Sequence, residues 1–336
     1  MSPLPRQSLA VFLALSSMSA LLGCVSPDTD GGYTHGHRSK RSVTCKDKFK
    51  QIPNHSACRT KSSKASNSGV SAEEKMQIVD LHNGYRNNVT PPASNMLKLS
   101  WDDQIAEIAQ RWADVCTLNH DGNNERSIPG SMNLGQNIAT DPKSWKEAVD
   151  LWQQEVKDFT YGGPGNEFGK IGHYTQVVWA DTQKIGCGYT ICDATKFYVC
   201  NYGPAGNIGG FDRPYKNDSD LECGNQHRQD RLCNCNTTCL NAATVQRSNC
   251  SCTCKPYSFY VGDACQLKCE DKDPVECNGA GATNCPAYAI TCPNLCQVCP
   301  AGGIDYVEKN NQGRIRLDVI LAASMVALNL IVFHYI

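Results

Sequence analysis

The cysteines are the residues of this chain with the widest chemistry open to them, since a thiolate can bind a metal, attack a substrate or pair in a disulfide. The chain has 21 of them among 336 residues. Most of their spacings are not those of metal sites, so we predict disulfides formed in an oxidising compartment. Twenty cysteines form three even sets of six, eight and six, spanning 45–200, 223–265 and 269–299. These sets predict three separately bridged units.

One cysteine is left over. Cys24 lies at the edge of an N-terminal apolar run and is predicted to leave with a signal or a pro-piece. No cysteine then remains for Cys–His catalysis, and no recognisable motif places a serine for Ser–His catalysis. The eight cysteines of the middle set allow 105 pairings, so their connectivity stays open. The cysteines of the first and third sets are Cys45, Cys58, Cys116, Cys187, Cys192, Cys200, Cys269, Cys277, Cys285, Cys292, Cys296 and Cys299.

Charge and composition exclude several classes of function. The chain carries 32 Lys and Arg residues against 33 Asp and Glu, and this net charge of −1 gives no general reason to bind nucleic acid or an anionic membrane. Its 40 % hydrophobic and 8 % aromatic content is enough to bury at least one ordinary core. We therefore predict a folded chain of about two domains rather than a disordered one.

The N-terminal segment has the pattern of a secretory leader. The apolar run over 9–22 follows Arg6 and is too short to span a membrane, which predicts a signal peptide over 1–23. Residues 21–24 also fit a bacterial lipoprotein box, an alternative that the eukaryotic processing and glycosylation signals further along the chain disfavour.

A basic cluster follows the leader. Residues 38–41 read Arg-Ser-Lys-Arg, the pattern that furin-like convertases cleave. We predict cleavage after Arg41, at the end of a pro-piece over 24–41, with an exposed charged turn as the alternative.

The C-terminal segment is apolar. Residues 319–336 carry no charge over 18 positions, which as a helix reach about 27 Å and match a bilayer core. Small residues at 301–303, a polar spacer over 300–316 and a hydrophobic tail over 317–336 fit the signal for a glycosylphosphatidylinositol anchor. No Lys or Arg follows the tail to anchor it on a cytosolic side, so we prefer the anchor to a single span.

Five Asn-x-Ser/Thr triplets support a secreted product. The predicted N-glycosylation sites are Asn54, Asn88, Asn217, Asn236 and Asn249.

Helical patterns occupy the first part of the mature chain. A polar arm over 42–70, predicted to be pinned by disulfides, precedes a capping box at residues 71–74 that opens the first helix. Apolar residues at helical spacing predict a second helix over about 102–116. A third is predicted to start at Asp141-Pro142, read as a cap followed by proline at the first helical position.

Strand patterns come next. Tyr174–Trp179, Ile185–Thr190 and Phe197–Asn201 are predicted as strands separated by turns. Helices followed by strands indicate an α+β fold with helices covering a sheet. From 223 to 299 the chain has 14 cysteines and little apolar material, so this part is predicted to be held by disulfides.

Five motifs in order resemble those of the CAP superfamily, which comprises cysteine-rich secretory proteins, antigen 5 and pathogenesis-related proteins. They are His82-Asn83-Gly84-Tyr85-Arg86, Asn95-Met96-Leu97 leading to Trp101-Asp102, Gly135-Gln136-Asn137-Ile138-Ala139, Gly172-His173-Tyr174-Thr175-Gln176-Val177-Val178-Trp179 and Tyr198-Val199-Cys200-Asn201-Tyr202-Gly203-Pro204-Ala205-Gly206-Asn207. The resemblance covers about 71–210, with antigen 5 and mollusc venom proteins as the most similar branches. It implies a three-layer α-β-α sandwich followed by small disulfide-rich modules.

The cysteine-rich tail carries a second resemblance. The spacing of the six cysteines over 269–299 looks like a ShKT module, named for a potassium-channel toxin. The preceding segment, 211–265, is weakly similar to an EGF module or a cysteine-rich hinge. Channel block by ShKT relatives relies on a Lys-Tyr pair between the third and fourth cysteines, where this chain has Tyr288 but no lysine. A binding or spacer role is therefore expected.

The CAP resemblance also implies a cleft that can hold a divalent cation such as zinc, although none is required. The matching residues are His120, Glu155 and His173, with Gln136 where many relatives have glutamate. Two imidazoles and one carboxylate can bind zinc, but a neutral amide cannot take a proton from a bound water. Simple hydrogen bonding across a polar cleft is the alternative role.

The resemblance leaves three functions to weigh. We favour a non-enzymatic extracellular or cell-surface protein that binds a protein or lipid ligand and reaches the membrane through its tail. A secreted endoprotease that processes propeptides is the first alternative, and a venom-type ion-channel modulator is the second. Phe159, Tyr161 and Phe168 lie where some relatives have a sterol-binding aromatic motif, but their spacing favours loop packing.

Overall fold

A computed structural model describes residues 45–129, 131–235, 237, 239–241, 243–269, 272–279, 288, 290–296, 298 and 299. The predicted signal peptide, pro-piece, Arg41 cleavage site, spacer and hydrophobic tail lie outside these residues. So do Cys24, Asn236 and Cys285.

The described residues form helices and strands in an order that alternates along the chain. The α-helices are Asp47–Lys50 (α1), Ala72–Asn87 (α2), Asp103–Ala113 (α3), Trp145–Gln154 (α4) and Phe168–Val177 (α5), and 3₁₀ turns span Ser56–Cys58, Glu155–Asp158, Asn225–His227 and Val275–Cys277. The strands are Ala65–Ser66 (β1), Ser100–Trp101 (β2), Gly135–Thr140 (β3), Lys184–Cys192 (β4), Thr195–Gly203 (β5), Arg228–Gln229 (β6), Leu232–Cys233 (β7), Thr244–Gln246 (β8), Ser251–Thr253 (β9), Tyr260–Val261 (β10) and Gln266–Leu267 (β11).

The main sheet has the strand order β1-β4-β5-β3, with β2 added in parallel to β4. Successive residues of β5 point to opposite faces, as the pleat of a strand requires. Phe197 and Val199 pack with α3 on one face. Tyr198 and Tyr202 pack on the other face with residues of α2, α4 and α5. The sheet therefore lies between two helical layers, and the predicted α+β class with its α-β-α sandwich is confirmed.

Local signals in the sequence set two of the helix starts. Ser71 accepts a hydrogen bond from the Glu74 amide, and the Glu74 side chain accepts one from the Ser71 amide, so the predicted capping box is present. Asp102 caps α3 by accepting from the amide of Ile105 at 2.9 Å. This second helix ends at Ala113, earlier than the predicted Cys116, which has a left-handed φ of 60°.

The predicted start of the third helix at Asp141-Pro142 is wrong. The helix, α4, begins at Trp145, and its cap is Ser144, whose Oγ accepts from the Glu147 amide. Asp141 instead has a φ of 65° and is bonded to Lys196 of β5 by its amide at 2.8 Å and its carboxylate at 3.0 Å. Asp141, which has the sequence pattern of a helix cap, therefore bonds the loop before α4 to the sheet.

The predicted strand Tyr174–Trp179 is also wrong, because most of that segment belongs to helix α5. Four successive residues of this helix, 174–177, are buried. The buried positions therefore do not repeat every three or four residues, and the sequence shows no helical period here. The polar members of the helix have partners inside the protein: the Thr175 hydroxyl donates to Oδ1 of Asn207 at 2.7 Å, and the carbonyl of Ile171 lies 3.1 Å from the same hydroxyl. The other two predicted strands fall within β4 and β5.

Two glycines of β4 allow α3 to lie directly against the sheet. A side-chain carbon on Gly186 would overlap the backbone of Ala106, and one on Gly188 would overlap the backbone of Gln110. Neither clash involves a flexible side-chain end, so the helix itself would have to shift. Close contact between α3 and the sheet therefore depends on glycine at both positions.

We expect Gly186→Ala to lower the free energy of unfolding by about 3 kcal/mol, because it overpacks a rigid contact. The matched control is Gly84→Ala, which adds the same methyl group to α2 where nothing lies within 4 Å. This control should stabilise the chain by about 0.5–1 kcal/mol through helix propensity. Urea denaturation with the disulfides intact measures both, and equal effects of the two substitutions would contradict the close packing of α3.

The structure pairs eighteen cysteines, and each bridge stays within one of the three sets. The pairs are Cys45–Cys58, Cys116–Cys192, Cys187–Cys200, Cys223–Cys233, Cys235–Cys250, Cys239–Cys252, Cys254–Cys265, Cys269–Cys299 and Cys277–Cys292. Cys45 bonds to Cys58 within the N-terminal arm, so this disulfide does not tie the arm to the sandwich. The arm is held instead by Phe49, buried beside Ile105 and Ile108 of α3, and by the pairing of β1 with β4.

The start of the cysteine-rich tail is joined to the sandwich by backbone and ionic contacts. The amide of Cys233 donates to Met96 at 2.8 Å, and its carbonyl accepts from Lys98 at 2.9 Å. Arg247 donates to the carbonyl of Asn95 at 2.7 Å and pairs with Asp181. A separate small core beyond residue 254 contains Phe259, Tyr260 and Leu267 together with cysteines. Among the helices described, none is long and apolar enough to cross a membrane.

Candidate functional site

A cleft of about 580 Å³ opens at the β3 edge of the sheet. Three parts of the chain form its walls: the loop after α3, the beginning of β3 with both ends of α5, and the segment that follows β5. The residues lining it are His120, Asn123, Asn124, Arg126, Asn133, Leu134, Gly135, Gln136, Phe168, Gln176, Ala205, Gly206, Asn207 and Ile208.

His120 lies on the loop that follows α3, which Trp112 fixes by donating from its indole nitrogen to the carbonyl of Asn119 at 2.8 Å. The Nδ1 atom of His120 is 2.7 Å from Oε1 of Gln136. Gln136 in turn donates from Nε2 to Oδ1 of Asn201, its neighbour across β3 and β5. With the amides in this orientation Gln136 Oε1 only accepts, so His120 carries its proton on Nδ1.

His173 lies on α5 and is held by Glu155 from the end of α4. Oε1 of Glu155 is 2.6 Å from Nδ1 of His173. Oε2 accepts from the backbone amides of His173 at 2.8 Å and Tyr174 at 3.0 Å. The carboxylate therefore fixes both the ring and the backbone of this part of α5, and it favours the proton of His173 on Nδ1.

The two imidazoles lie close together. Their ring centres are 6.4 Å apart and their planes differ by 24°. Trp152 of α4 also lies near His173, with ring centres again 6.4 Å apart and planes differing by 21°. No hydrogen bond is found from either Nε2 atom to the residues that the structure describes, so both lone pairs remain open to a ligand.

The electrostatic surroundings keep His120 neutral. Partial burial of its ring lowers the pKa of His120, and the nearby charges of Arg126 and His173 lower it further, against the hydrogen bond to Gln136 and the charge of Asp121, which raise it. A neutral imidazole is the form that binds metal ions.

A buried polar network stands behind the cleft and was not apparent from the sequence. His82 lies within 2.9 Å of the Tyr202 hydroxyl, and burial lowers the pKa of His82 to about 4. Asn137 donates to the same hydroxyl and to the carbonyl of His173. The only signal for this network was a cluster of polar residues inside the CAP-like motifs, which does not distinguish a support from a binding residue.

The structure places His120, Gln136, Glu155 and His173 close together, and His120 and Gln136 line the cleft. The expected set had Glu155 as a third ligand beside His120 and His173. Both of its oxygens instead contact groups of His173 and Tyr174. Within the described part of the chain, no group of three or more His, Cys, Asp or Glu side chains has the arrangement of a metal site. Glu155 therefore holds His173 and does not itself line the cleft.

The aromatic residues of the loop before α5 divide into two kinds. Phe159 contacts Tyr174, and Tyr161 donates from its hydroxyl to the carbonyl of Tyr215 at 2.6 Å, so both pack the loop against the core. Phe168 remains 50 % exposed beside the cleft.

The surface positions predicted from the sequence are accessible where they are described. The sequon residues Asn54, Asn88, Asn217 and Asn249 are exposed. Tyr288 of the ShKT-like segment has an exposed side chain as well.

These features define the class of protein: an α-β-α sandwich with a histidine-bearing cleft, followed by disulfide-rich modules. The family model described as "CAP: Cysteine-rich secretory protein family" matches residues 79–202. The chain is 33 % identical over 270 residues to cysteine-rich venom protein Mr30 of Conus marmoreus, covering 76 % of this chain and 89 % of that protein. It is 37 % identical over 203 residues to human cysteine-rich secretory protein 2, covering 53 % and 83 %. The solved structure of Na-ASP-1 aligns with a TM-score of 0.42 at 29 % identity, covering 47 % of this chain and 46 % of that one.

The chain therefore belongs to the CAP family of cysteine-rich secretory proteins. Its homologues are secreted, which agrees with the disulfide-rich tail and supports an extracellular location.

Proposed function

We propose that this protein acts outside the cell as a non-enzymatic binding protein, and that its cleft holds a divalent cation such as zinc between His120 and His173. One observation carries the proposal: each Nδ1 is occupied by an acceptor, Gln136 or Glu155, and each Nε2 is left open. Histidines that bind metals generally have their second nitrogen held in this way by a carboxylate or carbonyl oxygen. The residues present thus fit a cation held by two imidazoles and solvent.

The same contacts argue against hydrolysis. A hydrolytic site needs a base to take the proton of the attacking water. Glu155 is occupied by His173 and by two backbone amides, and Gln136 is neutral. The charged cleft residue Arg126 is itself paired with Asp121. The cleft is better suited to orienting a bound ligand, with the cation supplying one more contact for an oxygen or nitrogen of that ligand.

We expect the secreted chain to bind one Zn²⁺ in isothermal titration calorimetry, and His173→Ala to weaken the affinity by about tenfold or more. The matched control is His227→Ala, which removes an imidazole from the 3₁₀ turn at 225–227, away from the lining of the cleft. Equal affinity in the parent chain and His173→Ala would show that zinc binds elsewhere and would remove the cation from the proposal.

We also propose that the hydrophobic tail over 317–336 directs attachment of a glycosylphosphatidylinositol anchor. The support is the order of small residues, polar spacer and apolar tail in the sequence. We expect phosphatidylinositol-specific phospholipase C to release most of the protein from expressing cells, as measured by immunoblot of the medium. A chain that carries the membrane span of an unrelated receptor in place of 317–336 is the control and should stay on the cells. Full retention of both chains would favour a membrane span.

A further inference from the structure

The wall of the cleft is rich in carboxamides. Asn and Gln side chains each offer both donors and acceptors of hydrogen bonds, which suits a ligand that does the same. No carboxylate lines this cleft among the described residues. The carboxamides are Asn123, Asn124, Asn133, Gln136, Gln176 and Asn207.

The one permanent charge in the wall is already neutralised inside the protein. The guanidinium of Arg126 pairs with Asp121 at 2.6 Å and donates to the carbonyl of Leu134 at 2.8 Å. Its remaining nitrogen donates to Asn123. The wall therefore offers no unpaired permanent charge to select an anionic or a cationic ligand.

Two of the carboxamides are free to contact a ligand. Asn124 and Asn133 are exposed, and neither side chain has a hydrogen-bond partner among the described residues. Gln176 and Asn207, by contrast, are engaged: the first accepts from the amide of Gly206 and the second from the hydroxyl of Thr175. The cleft thus has a fixed inner wall and a polar rim with open hydrogen-bonding groups.

An apolar surface completes the rim. Phe168 is 50 % exposed, and Phe211 supports it with ring centres 5.4 Å apart. Ile208 is 70 % exposed on the segment that follows β5. Exposed apolar side chains at the edge of a polar cleft mark a binding surface more often than a random position. A flat aromatic ring beside free carboxamides is complementary to a sugar, which has hydroxyl groups at its edge and C–H groups on its face.

We propose that this cleft binds a neutral oligosaccharide, with one sugar ring on Phe168 and its hydroxyl or acetamido groups on Asn124 and Asn133. The inference deepens the proposed function, since it names a ligand class for the same cleft. It does not require the cation, because Phe168, Asn124 and Asn133 are separate from the two imidazoles.

The test is titration of the full secreted chain with triacetylchitotriose and with maltotriose, followed by calorimetry and saturation-transfer NMR. We expect at least one sugar to bind with a dissociation constant below about 1 mM. Phe168→Ala should weaken this binding by about tenfold, the usual size of an aromatic contact. Met76→Ala removes an exposed apolar side chain from α2 and serves as the matched control, because Met76 is 61 % exposed and not part of the cleft lining.

The experiment also separates this inference from the proposed function. Sugar binding that persists in EDTA and is lost in Phe168→Ala supports the inference, whether or not zinc binds. Zinc binding with no binding of either sugar overturns it and leaves the cation site standing. Binding of the uncharged peptide acetyl-(Ala-Thr)₃-amide instead of both sugars would assign the cleft to extended peptides and also overturn it.

Discussion

Replacing Arg86 with alanine should lower the free energy of unfolding by about 3–5 kcal/mol, the largest loss we expect from one substitution outside the disulfides. Arg86 lies on α2 and is only 1 % exposed. Its guanidinium donates to the carbonyls of Val177 at 2.9 Å, Trp179 at 2.7 Å and Thr182 at 2.9 Å. It also donates to the carbonyls of Leu97 and Ala180.

The position of these carbonyls explains the size of the effect. Val177 is the last residue of α5, where backbone carbonyls have no partner within the helix and the helix dipole favours a cation. Arg86 supplies both the donors and the charge. Burial lowers the pKa of Arg86 to about 9, which still leaves the side chain charged at neutral pH. Alanine would leave several buried carbonyls without donors and also remove the packing of a large side chain.

Urea denaturation followed by circular dichroism measures the loss. Arg86→Lys keeps the charge but offers three donors in place of a planar fork, so it should fall between alanine and the parent chain. If Arg86→Ala is not secreted, Arg86→Lys still allows the loss of stability to be measured. Arg111→Ala, on the partly exposed side of α3, should change stability by no more than about 0.5 kcal/mol. A loss below about 1 kcal/mol in Arg86→Ala would contradict the role of the carbonyl contacts.

The elements that the sequence predicted correctly were specified by neighbouring residues. The capping box at Ser71 and Glu74 is closed by groups three residues apart, and the stripe of Ile105, Ile108 and Trp112 repeats within one helix. Such signals do not depend on where the rest of the chain lies. The sequence signals for strands β4 and β5 were equally local, because turns with glycine and cysteine lie at the ends of their β-branched and aromatic runs.

The elements that were predicted wrongly from the sequence depend on contacts between residues that are far apart in the chain. The second half of helix α5, 174–177, is buried on all sides, which removed the period on which a helix prediction depends. Asp141 looked like a cap, but its partner is Lys196, 55 positions further along the chain. Arg86 is a charged residue in an otherwise ordinary helix, and nothing local to it indicates five carbonyl partners.

The site was predictable as a set of residues but not as a set of roles. The CAP-like motifs predicted His120, Gln136, Glu155 and His173 in one cleft, and the structure places the four side chains close together, with His120 and Gln136 in the cleft lining. A difference of a few ångströms in the position of a carboxylate decides whether it binds a cation or holds a histidine. That distance is set by how α4 lies against α5, which no local pattern encodes.

Gln136 is the position at which one substitution should strengthen cation binding most. We expect Gln136→Glu to tighten Zn²⁺ binding by about 10–100-fold, because a carboxylate that holds Nδ1 of His120 makes Nε2 a stronger ligand. Glutamine holds this nitrogen less firmly, since its amide can rotate and present Nε2 in place of Oε1. A carboxylate accepts in either orientation and so fixes the proton of His120 on Nδ1.

The fold can accommodate the added charge through Asn201. Oδ1 of Asn201 now accepts from Gln136 at 3.0 Å, while its Nδ2 is buried without a partner. Rotation of the Asn201 amide would let Nδ2 donate to the new carboxylate, which satisfies both groups at once. Asn201→Leu removes this donor, so the gain from Gln136→Glu should shrink in the double variant.

Calorimetric titration with Zn²⁺ across the four chains measures the effect as a double-mutant cycle. Gln136→Met, which keeps the length of the side chain but accepts no hydrogen bond, should weaken binding below that of the parent. NMR of the His120 ring provides a second readout, because a fixed Nδ1 proton gives a distinct nitrogen shift that a change in packing alone does not. Unchanged affinity in Gln136→Glu, with His120 still on the Nδ1 tautomer, would mean that the orientation of His120 does not limit cation binding.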